Sequence, residues 1–340
     1  MIPASSVQVA PDTWGETSMR SLRSSFAVLL PVAIAGALLL APPAGAAPAG
    51  QPTEIPVAQC AVDINDAGVV LTFSKIYRAG VVTDIPAGME SAGYLNNRGH
   101  IAGTSGLTAV LWNGKKLSTI PFVAGDDYAW VAGLNERGDV VGGSHVVGGA
   151  EEQQHAWVWR NGTLKVLRGL SDITVATGIN DQGQILGRSE VNGSWVPLRW
   201  EANGSVTRLD TLGGGTGSGF PEALNNNGEA VGSAFTGPGN AGIAHTVKWY
   251  ANGDVKSLDP AGYSGGARGI NDRGDIVGAA AGSSGIPAAF YRKAGQQMQL
   301  LPDSTPNSGN YFAAVNRWGV AAGCNSTDTA VTATTYRPGS

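Results

Sequence analysis

Residues 269–278 read "GINDRGDIVG", and closely similar segments occur at 178–187 ("GINDQGQILG") and 133–142 ("GLNERGDVVG"). Aligned on the asparagine of this motif, seven copies follow one another along the chain, separated by 31, 39, 45, 45, 46 and 45 residues. A repeat period near 45 residues is typical of proteins built from stacked copies of one supersecondary unit. The seven asparagines are Asn65, Asn96, Asn135, Asn180, Asn225, Asn271 and Asn316.

Each copy of the motif predicts a tight hairpin. An aliphatic residue precedes every asparagine, as Ile270 precedes Asn271, and a glycine follows three residues later, as Gly274 does. An asparagine side chain can bond the backbone of its own turn, and glycine adopts positive φ without a steric penalty. A short β-branched segment such as "DIVG" then continues as a second strand.

A second hairpin follows in each unit. Segments 155–167, 196–209 and 245–258 each contain an Asn-Gly turn between two strand-like runs. Each unit therefore has four strands, and seven such units predict an all-β fold, a β-propeller of seven blades with about four strands each. An aromatic residue lies one position before the second turn in all seven units, which indicates packing between the sheets: Tyr77, Trp112, Trp159, Trp200, Trp249, Tyr291 and Tyr336.

The two ends of the repeat region predict a closed ring. The last unit stops at "TTYRPGS", one strand short, while residues 52–57 match the strand that leads into the motif of other units. We therefore expect the N-terminal segment to supply the outer strand of the last blade, which removes an open sheet edge. Only nine residues separate Gly68 from Tyr77, so we expect the first blade to have three strands.

The chain has two cysteines, Cys60 at the start of the first blade and Cys324 in the last. In a closed ring these two blades are neighbours, which favours a disulfide over two separate buried thiols.

The N-terminal region predicts a secretory signal peptide over residues 1–46. Arg20 and Arg23 precede the apolar run of residues 26–40, and Ala44-Gly45-Ala46 resembles a cleavage site. The run is shorter than the approximately 20 residues of a membrane span, so we expect no span in the mature protein. A natural signal peptide would begin at Met19, so residues 1–18 look like a mis-assigned start. The mature protein, residues 47–340, is then a single propeller domain, secreted and monomeric.

The motif "GINDxGxxVG" followed by "HAWVW…NG…L" resembles the bacterial extracellular HAF repeat family. That family takes its name from a His-Ala-Phe triplet, which His155-Ala156-Trp157 matches here and His245-Thr246-Val247 matches loosely. The resemblance covers residues 57–337 and implies an exported, propeller-like repeat protein without assigned catalytic residues. Five of the seven units lack the histidine, so we interpret His155 and His245 as residues at the start of a strand.

Several classes of function find no support in the sequence. The net charge is −4 and no basic stripe occurs, which argues against nucleic acid as a partner. The four histidines have no metal-ligand spacing, and the acidic turns do not match a calcium loop. Nucleophile-elbow and phosphate-loop motifs do not occur. We therefore predict no metal, no cofactor and no assigned catalytic residue.

Two groups of residues are candidate binding sites. Long segments link the second and third strands and the successive blades, and these links share one face of a propeller. The first group lies in two of these links, where carboxylates could meet a sugar or a cation, or remain solvated: Asp126, Asp127, Tyr128, Trp130, Glu151 and Glu152. The second group is Glu222 and Arg268, at the same register of neighbouring blades near the channel, where they form either a pocket or an ordinary ion pair.

Three functions remain open. The first is a secreted binding module for a glycan or protein ligand on the loop-rich face. The second is a secreted glycan hydrolase or lyase, which requires a carboxylate pair such as Asp127 and Glu152 about 10 Å apart across a pocket. The third is a structural surface protein.

Overall fold

The computed structural model describes residues 50–148, 154–212, 215–282, 285–301, 309–327 and 330–339. Its strands form seven antiparallel sheets of four strands each, arranged as the blades of a propeller around a central channel. The all-β, seven-bladed fold predicted from the repeats is confirmed. The predicted signal peptide lies outside the described residues. Within the described ranges, no helix has the length and apolar character needed to cross a membrane.

The strands of each blade are given from the channel outward. Blade 1 consists of β2 (Ala61–Ile64), β3 (Val70–Thr72), β4 (Lys75–Arg78) and β5 (Val81–Asp84). Blade 2 consists of β6 (Ser91–Leu95), β7 (Ile101–Ser105), β8 (Thr108–Trp112) and β9 (Leu117–Thr119). Blade 3 consists of β10 (Tyr128–Leu134), β11 (Val140–His145), β12 (His155–Arg160) and β13 (Thr163–Val166).

The remaining blades repeat this order. Blade 4 consists of β14 (Thr174–Ile179), β15 (Ile185–Val191), β16 (Ser194–Trp200) and β17 (Val206–Arg208). Blade 5 consists of β18 (Gly219–Leu224), β19 (Ala230–Phe235), β20 (Ala244–Trp249) and β21 (Val255–Ser257). Blade 6 consists of β22 (Ser264–Ile270), β23 (Ile276–Ala281), β24 (Pro287–Arg292) and β25 (Gln299–Leu300). Blade 7 consists of β26 (Gly309–Val315), β27 (Ala321–Ser326), β28 (Val331–Tyr336) and β1 (Thr53–Glu54).

The first blade has four strands, so the expectation of three strands was wrong. The strands β3 and β4 pair directly, with Val70 opposite Tyr77. Two residues suffice for the connection between them, because the Thr72 hydroxyl accepts a hydrogen bond from the Lys75 N–H at 2.9 Å. A short hairpin therefore fits into a segment that seemed too short for one.

The ring closes at the junction of blades 7 and 1, as predicted. Strand β1 pairs with β28, with Thr53 opposite Thr335. The predicted disulfide is confirmed: Cys60, just before β2, is bonded to Cys324 in β27 across 264 residues of sequence. An apolar cluster fills the same junction, where Ile55 packs together with residues of both blades. Hydrogen bonds, apolar contacts and a covalent bond therefore all close the ring.

The core lies between the blades. One cluster combines Val141 and Val158 of blade 3 with Leu198 and Trp200 of blade 4, and these side chains are almost fully buried. The aromatic residue predicted to pack between the sheets belongs to such a cluster in every blade. A single blade cannot bury its own faces, which is the physical reason for the repeated sequence.

The asparagine of each repeat connects its own turn to the next blade. In blade 5, the Asn225 side-chain oxygen accepts hydrogen bonds from the N–H groups of Asn227 and Glu229, at 3.0 and 2.9 Å. The Asn225 side-chain nitrogen donates to the backbone oxygen of Asn271 in blade 6, at 3.1 Å. The interblade bond recurs at all seven asparagines with lengths of 2.9–3.3 Å. Seven amides thus form a closed ring, the asparagine ring, at one end of the channel.

The glycines of the motif serve two different purposes. The turn glycine has positive φ in all seven repeats, for example 84° at Gly274. The last glycine of "DVVG" is required for close approach, because a Cβ atom on Gly142 would collide with the Trp130 carbonyl oxygen of the inner strand. The backbones of the first two strands therefore lie closer together than a side chain would allow.

Candidate functional site

The inner strands line the channel, and each contains a β-bulge just before its asparagine. The pairing of the first two strands shifts register at the same position in all seven blades. A bulge leaves one residue outside the pairing and turns its side chain in a new direction. The seven bulge residues are Val62, Gly93, Ala132, Thr177, Glu222, Arg268 and Ala313.

Glu222 and Arg268 are the two charged residues among these seven. Both are exposed although they lie on inner strands, so both side chains reach the water of the channel. Their predicted equivalence of register in neighbouring blades is confirmed. No ion pair within 4.0 Å joins these two described side chains. The surrounding protein raises the pKa of Glu222, and the charges of Arg188 and Arg268 partly oppose this shift.

An aromatic ring accompanies each guanidinium group near Glu222. The Arg268 guanidinium carbon lies 4.7 Å from the centre of the Tyr311 ring in blade 7. Arg188, on β15 of blade 4, lies 5.0 Å from the Trp195 ring and 5.1 Å from the Phe220 ring. Such cation–π contacts hold a guanidinium plane in place while its N–H groups remain directed outward. This group of residues, Glu222, Arg268, Tyr311, Arg188, Trp195 and Phe220, is called the channel site below.

Two further titratable groups lie on the inner strands of blades 1 and 2. The Asp63 carboxylate accepts hydrogen bonds from the Ile64 and Leu95 N–H groups, both at 2.8 Å, and so bridges blades 1 and 2. Burial raises the pKa of Asp63 to about 7 despite these two bonds. Burial also raises the pKa of Tyr94, with smaller contributions from the negative charges of Glu222 and Asp63. The inner strands therefore carry a carboxyl group, that of Asp63, that can take up a proton close to neutral pH.

The end of the channel that holds the asparagine ring is occupied by structural hydrogen bonds. Next to the asparagine ring, the side chain that follows each asparagine accepts a backbone N–H from the preceding blade, as Asn97 does from Asp66 at 2.7 Å. Six of the seven junctions have this bond. The seventh junction has Arg317, whose side chain has no acceptor. These polar groups are used by the fold, which leaves the channel site as the better candidate.

The two aspartates predicted as a site in the link before blade 3 lie in different environments. The Asp126 side chain is only 2% exposed and contacts His155 Nδ1 at 2.9 Å. It also accepts a hydrogen bond from the buried Ser144 hydroxyl at 2.5 Å. Asp127 is exposed, and its carboxylate accepts the Val147 N–H at 2.6 Å. Asp126 therefore holds the ends of β11 and β12 together, whereas Asp127 faces solvent.

Tyr128 and Trp130, which were expected in this link, lie on the inner strand β10 instead and form a small aromatic cluster with His145 at the end of β11. The Tyr128 ring lies 6.1 Å from Trp130 and 5.1 Å from His145, measured between ring centres. Glu151 and Glu152 lie outside the described residues, so the predicted pairing of Asp127 with Glu152 stays a prediction. His155 begins β12, and His245 is the second residue of β20 and contacts Asp259 at 3.2 Å. Both histidines are thus held by a buried aspartate at the start of a strand.

Sequence analysis missed three features of the site. It did not identify Arg188, which lies on a second strand directly after the motif of residues 178–187. It also did not predict that Trp195 and Phe220 would stack on that arginine, or that burial would raise the pKa values of Asp63 and Tyr94. Among the described residues, no three His, Cys, Asp or Glu side chains lie close enough together to hold a metal ion.

No protein-family model matches the chain, and no curated protein matches it in sequence. Solved structures match in fold. A streptogramin B lyase structure has a TM-score of 0.56 at 10% identity, over 84% of this chain and 96% of that chain. The β-propeller domain of the Trilobed protease from Pyrococcus furiosus has a TM-score of 0.53 at 12% identity, over 81% and 91%. A puromycin hydrolase S511A mutant complexed with PGG has a TM-score of 0.53 at 13% identity, over 80% and 50%. At these identities the similarity establishes the propeller fold alone.

Proposed function

We propose that this protein is an exported binding module whose glycan or protein ligand enters the channel from the loop-rich face and contacts the channel site. One observation carries the proposal: Glu222 and Arg268 are exposed to the channel at equivalent positions without forming an ion pair with each other. Charged groups confined by protein usually have a partner or a function. A ligand with polar groups would supply that partner.

The surroundings of the charged pair support a ligand site. Concave sites that bind small molecules or chain ends combine apolar or aromatic walls with a few polar groups that set orientation. Here Tyr311, Trp195 and Phe220 provide the rings, while Glu222 and Arg268 provide the polar groups. Export is supported by the predicted leader and by the disulfide, since disulfides persist in extracellular and periplasmic compartments. The resemblance to the HAF repeat family agrees with export.

Removal of both channel charges tests the proposal. The double variant Glu222→Gln with Arg268→Gln is compared with Lys75→Gln with Asp84→Asn, which removes an exposed ion pair on the outer strands of blade 1. The ligand is sought by thermal shift of the full chain against soluble polysaccharides and peptides. We expect the control to keep any binding found and the channel variant to lose it. Equal binding by both double variants would contradict the proposal, and no binding by the wild type would favour a structural surface protein.

A second candidate function is a hydrolase or lyase that uses Glu222. A carboxyl group with a raised pKa is suited to donate a proton to a leaving group, and the pKa of Glu222 is raised by its surroundings. A streptogramin B lyase and a puromycin hydrolase share the fold. Product analysis by chromatography distinguishes this function from binding: Glu222→Gln would abolish cleavage of a bound ligand while leaving its affinity within a few-fold.

A further inference from the structure

We infer that the channel site recognises a carboxylate-bearing glycan, with Arg268 binding the carboxylate and the neighbouring rings stacking on the sugar. This inference rests on the proposed binding function and names the chemical class of the ligand. It starts from the contacts of Arg268. The structure describes an aromatic partner for this guanidinium, Tyr311, but no hydrogen-bond acceptor for it among the described residues.

The geometry of Arg268 suits a carboxylate. Guanidinium presents its N–H donors in a planar fork that matches the two oxygens of a carboxylate. The guanidinium carbon lies over the Tyr311 ring, 4.7 Å from its centre, so the aromatic ring supports the group from one side. Because Arg268 is exposed to the channel, an incoming anion can reach those donors directly.

The charge of Arg268 also favours an anion. Its side chain is exposed to the channel and forms no ion pair among the described residues. The positive charges of Arg188 and Arg268 both oppose the raised pKa of Glu222, so both guanidinium groups lie close enough to act on that carboxyl. An anion that binds beside Glu222 therefore meets the positive charge of Arg268.

The other groups of the site suit a sugar ring. Glu222 accepts hydrogen bonds from hydroxyl groups when ionised and donates one when protonated. Tyr311, Trp195 and Phe220 offer ring faces, which bind the apolar faces of ring-shaped ligands. A glycan with uronic-acid residues carries all the complementary groups: a carboxylate, hydroxyls and a flat ring face.

The test uses a pair of ligands that differ only in the carboxylate. Trigalacturonate and its methyl ester are titrated calorimetrically into the full-chain protein at low and moderate salt. We expect trigalacturonate to bind and the methyl ester to bind at least tenfold more weakly. We expect Arg268→Gln to weaken trigalacturonate binding at least tenfold and Arg268→Lys to restore part of it, because lysine keeps the charge without the fork.

A matched control is available in blade 7, outside the channel site. Arg317 also stacks on an aromatic ring, with its guanidinium carbon 4.5 Å from the centre of Trp318, but it lies beside the asparagine ring. Arg317→Gln should leave trigalacturonate binding unchanged. Far-ultraviolet circular dichroism and the melting temperature confirm that each variant is folded.

The other outcomes separate failure of this inference from failure of the proposed function. Equal affinity for trigalacturonate and its ester, or equal loss in both arginine variants, would overturn the carboxylate inference and leave glycan binding in place. Binding of an acidic peptide in preference to both glycans would overturn the glycan class. Absence of binding to every glycan and peptide in the screen would overturn the inference and the proposed function together.

Discussion

The side-chain amide of Asn316 in blade 7 donates a hydrogen bond of 3.0 Å to the backbone oxygen of Asn65 in blade 1, across 251 residues of sequence. The equivalent bond also joins each of the remaining six pairs of neighbouring blades. At this junction it completes the asparagine ring between two blades that are also joined by strand β1 and by the disulfide. The turn residue of a local hairpin is therefore also a long-range connection, and this dual role leads to the first prediction.

Replacement of a ring asparagine should destabilise the protein more than replacement of a surface asparagine. Asn225→Ala removes from a buried position the oxygen that accepts two turn N–H groups and the interblade donor, and we expect a loss of about 3 kcal/mol because buried N–H groups lose their partner. Asn225→Asp keeps the acceptor oxygen but turns a carboxylate toward the Glu229 carboxylate and the Asn271 carbonyl oxygen, so it should not restore stability at neutral pH. Asn252→Ala, at an exposed hairpin tip, is the control. Urea denaturation measures all three, and equal effects of the two alanine variants would refute the role of the ring.

Removal of the disulfide should destabilise the closed ring. A crosslink that encloses 264 residues restricts the unfolded chain. In the chain-entropy treatment this restriction raises the free energy of the unfolded state by about 5 kcal/mol. We expect the variant with Cys60→Ser and Cys324→Ser to remain folded, because β1 and the apolar cluster still close the ring, with a lower melting temperature. Calorimetry with and without reductant checks this. A loss below about 1 kcal/mol would show that the unfolded chain is already compact.

The two aspartates before blade 3 should differ in their effect on stability. Asp126→Asn weakens the contacts of a buried carboxylate with Ser144 and His155, and we expect a loss of about 2 kcal/mol. Asp127→Asn changes an exposed side chain and should cost less than about 0.5 kcal/mol. Chemical denaturation of the two isosteric variants is the measurement. If Asp126→Asn is neutral in stability but alters ligand binding, Asp126 belongs to the binding surface.

Asp63 should make stability depend on pH. Burial raises the pKa of Asp63 from 3.8 to about 7 in the folded protein. Between about pH 4 and pH 7 the folded state retains a proton that the unfolded state releases, so the contribution of Asp63 to stability decreases as the pH rises and is constant above pH 7. The melting temperature of the wild type minus that of Asp63→Asn should therefore fall across this range.

The Asp63 comparison carries its own control. The Ile64 and Leu95 N–H groups bind different oxygens of Asp63, and Asp63→Asn replaces one of these oxygens with an NH2 group, so one of the two N–H groups loses its acceptor. This loss shifts the melting temperature of the variant by an amount that does not depend on pH. If the melting temperatures of wild type and variant differ by the same amount at every pH between 4 and 8, Asp63 does not titrate in this window. Glu136, whose negative charge contributes to the raised pKa of Asp63, is present in both proteins.

Much of the architecture followed from local patterns. The spacing of the asparagines predicted seven blades, and the missing strand after Tyr336 predicted closure by residues 52–57. The positions of Cys60 and Cys324 in the first and last units then predicted their pairing. These features depend on the order of strands along the chain, which a repeat of constant period specifies without knowledge of side-chain positions. The first blade was predicted wrongly, because a two-residue turn after Thr72 makes the hairpin shorter than in the other repeats.

The contacts of the candidate site were decided by packing between blades. Arg188 meets Phe220, and Arg268 meets Tyr311, because neighbouring blades bring together residues that are 32 and 43 positions apart in the chain. The burial of Asp126 and the solvent exposure of Asp127 depend on how one link folds over β11 and β12. Periodicity determines which strand a residue belongs to. The direction of its side chain at a bulge or in a link, and the partner it finds there, depend on the neighbouring blade, and only the folded ring brings that neighbour into contact.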